Sequence, residues 1–274
     1  MINSIKRKIK GILFSDFKSF KDSPYKELVI GNHLHQLSII YPVYVNNTEG
    51  IKEIIDNIKY YCSMSDEVKR YLTLIVVDDC SPVSLHIFKN INLNLKHIRI
   101  DKDIRWNSGG AKNLGVCYCE SSRIITADID MVFPEETLRA CMSAENIHDG
   151  TVYVFDEYLY ENGKWGKYGV HPNTFFMTKA TYLSLNGYDE DFCGYYGDDL
   201  YMNQWINLNC EVYNSGEKML LTEGVSEKVN LLKRKVSWQI YLLLAKKKKL
   251  SHSRDMLRFP WHQVYCKNYL FDEK

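Results

Sequence analysis

Two hydrophobic periods alternate along this chain. From Leu37 to Pro42 and again from Leu72 to Val77 the positions are almost all apolar, as in strands covered on both faces. Between them, Glu49 to Tyr61 has the spacing of an amphipathic helix. A shorter strand is predicted over Lys96 to Ile100, then a glycine-containing loop, a helix from about Gly110 to Cys119, and a strand over Arg123 to Ala127. Strands alternating with helices in this order predict an α/β fold with a mostly parallel, right-handed sheet. In such sheets ligands bind beyond the carboxyl ends of the strands.

Past Pro134 the pattern changes. Thr151 to Tyr160 and Trp165 to Tyr168 flank Glu161-Asn162-Gly163-Lys164, a hairpin signal, so a smaller antiparallel extension is expected there. Phe175 to Thr178 reads as another short strand and Ala180 to Leu185 as a helix, followed by an acidic loop from Asn186 to Asp199. The two ends of the chain are different again. Met1 to Phe20 reads as a basic amphipathic helix, with Ile2, Ile5, Ile9, Leu13, Phe17 and Phe20 on one stripe and Lys6, Arg7, Lys8 and Lys10 between them. Near the other end, Trp238 to Leu244 is apolar and aromatic and runs into Lys246 to Lys249. Either segment suits an anionic membrane surface, or else docks on the body of the protein or lies solvated on a helix face.

Composition narrows the classes. The net charge is only +1, which gives no argument for nucleic acid as a partner. Eight cysteines lie without Cys-x-x-Cys spacing in a chain that shows no secretory signal pattern, so they are expected as reduced thiols in the cytoplasm. No apolar run approaches the ~20 residues that span a bilayer. The expected organisation is a basic amphipathic segment over 1–35, one folded domain over 36–225, and a helical, lysine-rich tail over 226–274.

The chemistry is carried by acids. Arg123 to Asp130 delivers Asp128 and Asp130 one residue apart at the end of an apolar strand, where residues i and i+2 point the same way. Hard divalent cations such as Mg²⁺ or Mn²⁺ take oxygen ligands and are often held by one or two carboxylates plus a substrate's phosphates. The alternative is a pair of acids that merely caps the turn before Pro134-Glu135-Glu136. Two further pairs, Asp78-Asp79 after the second strand and Asp198-Asp199 after Gly197, are expected at the same rim of the sheet.

From about Leu37 to Trp205 the chain resembles the metal-dependent glycosyltransferases of the GT-A fold, specifically glycosyltransferase family 2. The likeness rests on Ser38 to Tyr44, Val76 to Ser81, Asn107-Ser108-Gly109-Gly110-Ala111-Lys112-Asn113-Leu114-Gly115, Asp128-Ile129-Asp130, and Asn186 to Phe192 leading into Gly194 to Asp199. The last stretch is similar to the acceptor-side motif of galactosyl- and N-acetylgalactosaminyl-transferases. The resemblance implies a Rossmann-like GT-A domain whose nucleotide-sugar half covers about 36–133 and whose acceptor half covers about 134–225.

It also implies roles. Pro42 and Tyr44 would line the nucleotide base, Asp79 would accept a hydrogen bond from it, and Lys112 would stand near the diphosphate where the family has arginine. Asp130 would bind Mn²⁺ or Mg²⁺ directly, and Asp128 would contact ribose or the metal. Asp199 would be the catalytic base, with Asp198, Tyr195, Tyr196 and Trp106 toward the acceptor. Past the base the chain departs from the family's Asp-Leu-x-x-Arg, with Tyr201-Met202-Asn203-Gln204-Trp205, which puts donor and acceptor specificity in question. His252 and His262 are further candidates for the metal. The expected activity is inverting transfer of a sugar, from a UDP-hexose or UDP-N-acetylhexosamine, to a hydroxyl of a glycan or glycolipid, as in surface polysaccharide synthesis. The alternatives are a nucleotidyltransferase of similar fold and a catalytically silent glycan-binding protein.

Overall fold

The structure is a computed structural model that describes residues 20–85, 91–161, 163–195, 197–222, 238–247 and 252–268. The predicted amphipathic helix up to Phe20 therefore lies outside the described residues except for its last position, as do Tyr196, Lys248 and Lys249. In chain order the elements are β1 Leu37–Val43, α1 Thr48–Cys62, α2 Asp66–Tyr71, β2 Leu72–Asp78, β3 Asn94–Ile100, α3 Ser108–Tyr118, β4 Arg123–Thr126, β5 Met131–Val132 and α4 Glu135–Ser143. They continue with β6 Thr151–Glu161, β7 Lys164–Val170, β8 Phe175–Thr178, α5 Lys179–Ser184, α6 Asp198–Asn209, β9 Glu211–Leu221, α7 Trp238–Lys247 and β10 Trp261–Lys267.

All ten strands of the described residues join one sheet in the order β10-β3-β2-β1-β4-β8-β6-β9-β5, with β7 added to β6 alone. The block β3-β2-β1-β4 is parallel, as the strand and helix alternation predicts. Its strands are buried along nearly their whole length, which is why they read as unbroken apolar runs. One core packs Ile54, Ile58 and Tyr61 of α1 and Leu138 of α4 against one face; the other packs Ala111 and Leu114 of α3, Tyr182 of α5, and Met202 and Ile206 of α6 against the opposite face.

The extension is built from β5 to β9 and is mixed rather than purely antiparallel. β8 runs antiparallel to β4 and to β6, but β9 returns parallel to β6 along most of its length. The region beyond 225, read from the sequence as a helical tail, holds α7 and then β10, which pairs antiparallel with β3 and closes the far edge of the sheet. No helix among the described residues is long and apolar enough to cross a membrane.

Two features of this topology make a site. β1, β2 and β4 all end at one rim, and the loops there are stitched together: Asp79 N donates to Val43 O at 2.8 Å and Val45 N to Ser81 Oγ at 2.9 Å. Opposite that rim, α6 opens after Gly197, whose φ of +117° is an N-cap geometry that glycine adopts without strain. The turn puts Asp198 and Asp199 in the first turn of α6, where the helix dipole favours negative charge.

Candidate active site

The strand β4 ends at Thr126, and the next four residues carry Asp128 and Asp130. Asp128 is held by three hydrogen bonds from two side chains. Lys112 of α3, with a fully buried side chain, pairs with its Oδ1 at 2.9 Å, and Asn173 Nδ2 donates to both carboxylate oxygens at 3.1 and 3.0 Å. Burial works against ionisation, but Lys112 and His171 outweigh it and hold Asp128 below the ordinary aspartate value. Asn173 is itself fixed, since Tyr188 donates its hydroxyl to Asn173 Oδ1 at 2.6 Å. Lys112 also donates to the Asn173 carbonyl at 3.3 Å and lies 5.4 Å from the Tyr188 ring centroid.

Asp130 is the opposite case. Its Oδ1 is buried and has no hydrogen-bond partner, while its backbone carbonyl accepts from both N and Oγ1 of Thr222 at 2.9 Å. Burial, and then the charge of Asp128, push its carboxyl up to about 7. A buried carboxylate oxygen without a donor is costly, and such atoms in native structures call for an ion or another explanation. The residues present fit a hard divalent cation in that respect. Among the described residues no three His, Cys, Asp or Glu side chains gather closely enough to hold a metal by themselves. That suits a cation whose shell is completed by a bound phosphate.

The two remaining acidic pairs divide between structure and site. Asp78 pairs with Arg99 and accepts from Ser81 N at 2.7 Å, so it builds the turn after β2. Asp79 is turned the other way, accepts from Asn107 Nδ2 at 3.1 Å, and is pushed up to about 7 by burial, with the Asn107 hydrogen bond opposing and Asp78 adding to the rise. Tyr44 stands in the same wall: burial, followed by the charges of Asp103 and Asp79, raises its hydroxyl. Pro42 is half-buried on β1, opposite Val77.

Asp198 is buried and accepts from the indole nitrogen of Trp106 at 2.8 Å. Burial raises its carboxyl against that hydrogen bond. Trp106 is therefore the group that orients Asp198, and the backbone of Gly109 comes so close that an added Cβ would lie 2.9 Å from Tyr188 Cβ and 3.0 Å from Asp198 Oδ2. Asp199 accepts from Leu200 N at 2.8 Å, and burial, reinforced by Asp198, pushes it up to about 6. Tyr195 is exposed at the entrance of this loop. The stretch Trp106 to Lys112 thus touches every one of the three acidic pairs: Trp106 holds Asp198, Asn107 holds Asp79, and Lys112 holds Asp128.

Among the described residues neither histidine singled out from the sequence joins a group of His, Cys, Asp or Glu that could hold a metal, although the buried Nδ1 of His252 has no hydrogen-bond partner. His252 stacks on Trp205 with ring centroids 4.7 Å apart, and its Nε2 faces Asn186 O at 3.5 Å. His262 Nδ1 lies 2.7 Å from Asp101 Oδ1 on the far edge of the sheet. The lysine run also differs from its sequence reading. Lys247 is buried and pairs at 2.6 Å with both Asp189 and Asp191. A buried, paired ammonium is not available to a membrane surface, whereas Lys246 is exposed.

The sequence reading missed Asn173, His171 and Tyr188, which surround Asp128. His171 is joined to Thr174 Oγ1 at 2.8 Å, and burial lowers its pKa. Nothing in the spacing of a His-Pro-Asn-Thr turn points to an aspartate 45 residues earlier. Asn107 and Asn113 were within reach, because both stand in the glycine-containing stretch already marked. Asn113 satisfies all of its amide groups with Tyr182, Tyr188 and Glu190, and so fixes the acidic loop to α3.

Residues 38–202 match the family model described as "Glycosyl transferase family 2". Among solved structures, S. aureus TarS 1-349 in complex with UDP-GlcNAc is similar with 19% identity and a TM-score of 0.56, over 76% of this chain and 64% of that one. The chain thus spans just under two thirds of the TarS fragment. The mannosyltransferase PcManGT from Pyrobaculum calidifontis, solved with GDP-Man and Mn²⁺, matches with 15% identity and a TM-score of 0.55 over 95% of this chain and 78% of that one. GalNAc-T7 with UDP, GalNAc and Mn²⁺ matches with 11% identity and a TM-score of 0.55, over 89% and 56%. These likenesses show a shared fold. No curated protein matches the chain by sequence.

Proposed function

The chain belongs to glycosyl transferase family 2, and from that premise we propose that it is an inverting, metal-dependent transferase that moves a sugar from a UDP-linked donor to a hydroxyl of a glycan or glycolipid. The observation that carries the metal-dependent part is the unpartnered, buried Oδ1 of Asp130 beside the firmly held Asp128. The structures similar to this chain include two solved with Mn²⁺ and a nucleotide or nucleotide sugar, which supports the same reading. Asp130 would hold Mn²⁺ or Mg²⁺, with Asp128 oriented beside it by Lys112 and Asn173. Such a cation, when bound, neutralises the charge of a nucleoside diphosphate.

The rest of the chemistry falls to the chain's own side chains. Tyr44, Pro42 and Asp79 would form the wall for the nucleotide base. Transfer forms a bond from the acceptor oxygen to the anomeric carbon and breaks the bond from that carbon to the diphosphate, whose oxygen takes the electron pair. The acceptor's proton would go to Asp199. A carboxylate raised to about 6 is still ionised at neutral pH and is a stronger base than an ordinary aspartate, which fits that task. Trp106 would keep Asp198 turned inward beside it, and Tyr195 and Tyr196 would meet the acceptor. Attack from the side of α6, opposite the departing diphosphate, inverts the anomeric carbon.

A cytoplasmic place of action completes the proposal, with the basic segment Met1 to Phe20 as the part that would meet an anionic membrane. Titration of UDP by calorimetry with and without Mn²⁺ tests the donor site. Tighter binding with Mn²⁺ is expected for the wild type, and its loss is expected for Asp130→Ala; an affinity for UDP that ignores both the metal and the substitution would refute it.

A further inference from the structure

The hairpin β6–β7 extends beyond the ends of β4 and β8, paired with β9 as far as Leu159. β4 ends at Thr126, level with Phe175 of β8, and β8 pairs with β6 only at Val152 and Tyr153. From Phe155 to Glu161, β6 runs on past that rim for about 20 Å of strand. β7 returns along it with exposed residues from Lys164 to Tyr168 and then feeds His171 and Asn173 directly into the Asp128 cluster. The hairpin therefore stands over the site and shares its chain with it.

At the outer end of the hairpin, Tyr160 lies opposite Trp165, with ring centroids 5.3 Å apart and planes tilted by 58°. Both rings are nearly half exposed, at 43% and 45%. Which way they face follows from the pleat. Val152 and Val154 of β6 belong to the core that packs α3, α5 and α6; the register shifts farther along put their extra residues in β9 and in β7, so β6 keeps its period of two and Tyr158 and Tyr160 turn to that same face. That face also carries α6 with Asp199. The register gives the reach: Met131, next to Asp130, is opposite Leu221, Leu221 is opposite Leu159, and Leu159 is opposite Gly166, the neighbour of Trp165. Three strand spacings are about 15 Å along the sheet.

We infer that Tyr160 and Trp165 form a platform for a glycan chain, stacking a sugar ring of an acceptor at some distance from the ring that receives the new sugar. A pyranose presents an apolar face of C–H groups and a polar rim. Two tilted, half-exposed aromatic rings, with Lys167 two residues along on the same face and paired with Asp156, match those two parts. A cross-strand aromatic pair also stabilises a hairpin, but that role alone does not require the pair to stand beyond the rim on the face that bears the catalytic side. The path of about 15 Å along the sheet from Met131, beside Asp130, to Gly166, beside Trp165, is longer than a single sugar ring, so the platform suits acceptors of several sugars. The inference rests on the transferase reading, because it supposes that the glycan held here is the acceptor.

The test uses the full chain with saturating UDP and Mn²⁺, incubated on an immobilised array of di- to decasaccharides. The wild type is expected to retain a set of the longer glycans. Trp165→Ala and Tyr160→Ala should lower that signal about tenfold, the upper end for a ring-stacking contact, and Trp165→Phe should keep most of it. UDP affinity by calorimetry serves as the control and should be unchanged, while the thermal unfolding midpoint should fall only slightly, by what a lost cross-strand pair costs. Retention of the same glycans at equal strength by the alanine variants would overturn the platform, as would capture of no glycan by the wild type. Loss of co-sedimentation with anionic phosphatidylserine vesicles, without loss on the array, would instead assign the rings to a membrane. If the wild type bound no UDP at all, the donor-site reading would fail while the array result still judged the platform.

Discussion

Two acidic clusters lie close together in this chain, and they are built in opposite ways. In Asp189-Glu190-Asp191 every carboxylate has partners. Asp189 meets Lys247 and the backbone N–H groups of Ser253 and Asp191; Glu190 takes Asn113 and the N–H groups of Leu257 and Arg258; Asp191 takes Lys247 and Arg258. Burial alone would raise Asp191, but Lys247 and Arg258 bring it below the ordinary value. Around the rim, by contrast, Asp79, Asp130 and Asp199 are all pushed up by burial with too few donors to offset it. The first cluster fastens the C-terminal segment to the acidic loop. The second stores unfavourable charge where a ligand can relieve it, as functional sites do.

That contrast can be broken most sharply at Asp199. Asp199→Asn should reduce transfer by about 10²–10⁴-fold, the usual worth of a general base, while UDP binding stays nearly intact. Turnover at the wild-type rate, measured as UDP release with acceptor present, would move Asp199 out of the chemistry.

Lys247→Met probes the other cluster. It leaves the buried carboxylate of Asp189 without its cation and is expected to cost about 3–5 kcal/mol in urea unfolding, with the rate of the folded enzyme little changed. A variant that keeps its stability but loses activity would mean that the clamp belongs to the site after all.

The smallest effect has the most telling sign. Asp130 has a folded-state pKa of about 7 against an ordinary 3.8, so between those values the folded protein binds more protons than the unfolded chain. Its contribution to stability must therefore fall as pH rises from about 4 to 7. Asp130→Asn should make the metal-free protein more stable at pH 7.5, by about 0.5–2 kcal/mol, and should flatten this part of the pH dependence. Thermal unfolding at pH 5 and 7.5 without metal checks it, and a destabilised Asp130→Asn protein would contradict the picture of stored charge.

Much of the fold was legible from periodicity. The parallel strands β1, β2 and β4 are buried on both faces and appear as apolar runs; α1 and the β6–β7 hairpin carry equally plain signals. The strands β9 and β10 were not legible, because each lies at or near a sheet edge with mostly half-buried side chains and so shows neither a continuous apolar run nor a clean alternation. Of the site, the acids were legible as types at strand ends. Their partners were not: Asn173 and Trp106 reach Asp128 and Asp198 across 45 and 92 residues of chain.

What the sequence by itself determined is the parallel sheet, its ligand-bearing rim and the three acidic pairs placed around it, because strand burial and the pairing of i with i+2 are local properties. Only the tertiary structure decided which acids are paired and which are left without donors. Asp78 and Asp79 are neighbours, yet one pairs with Arg99 and the other accepts from Asn107; Asp128 is satisfied by Lys112 and Asn173, and Asp130 is left wanting. The charge state of a carboxylate is set by what surrounds it in space, and those surroundings come from segments that the chain order keeps far apart.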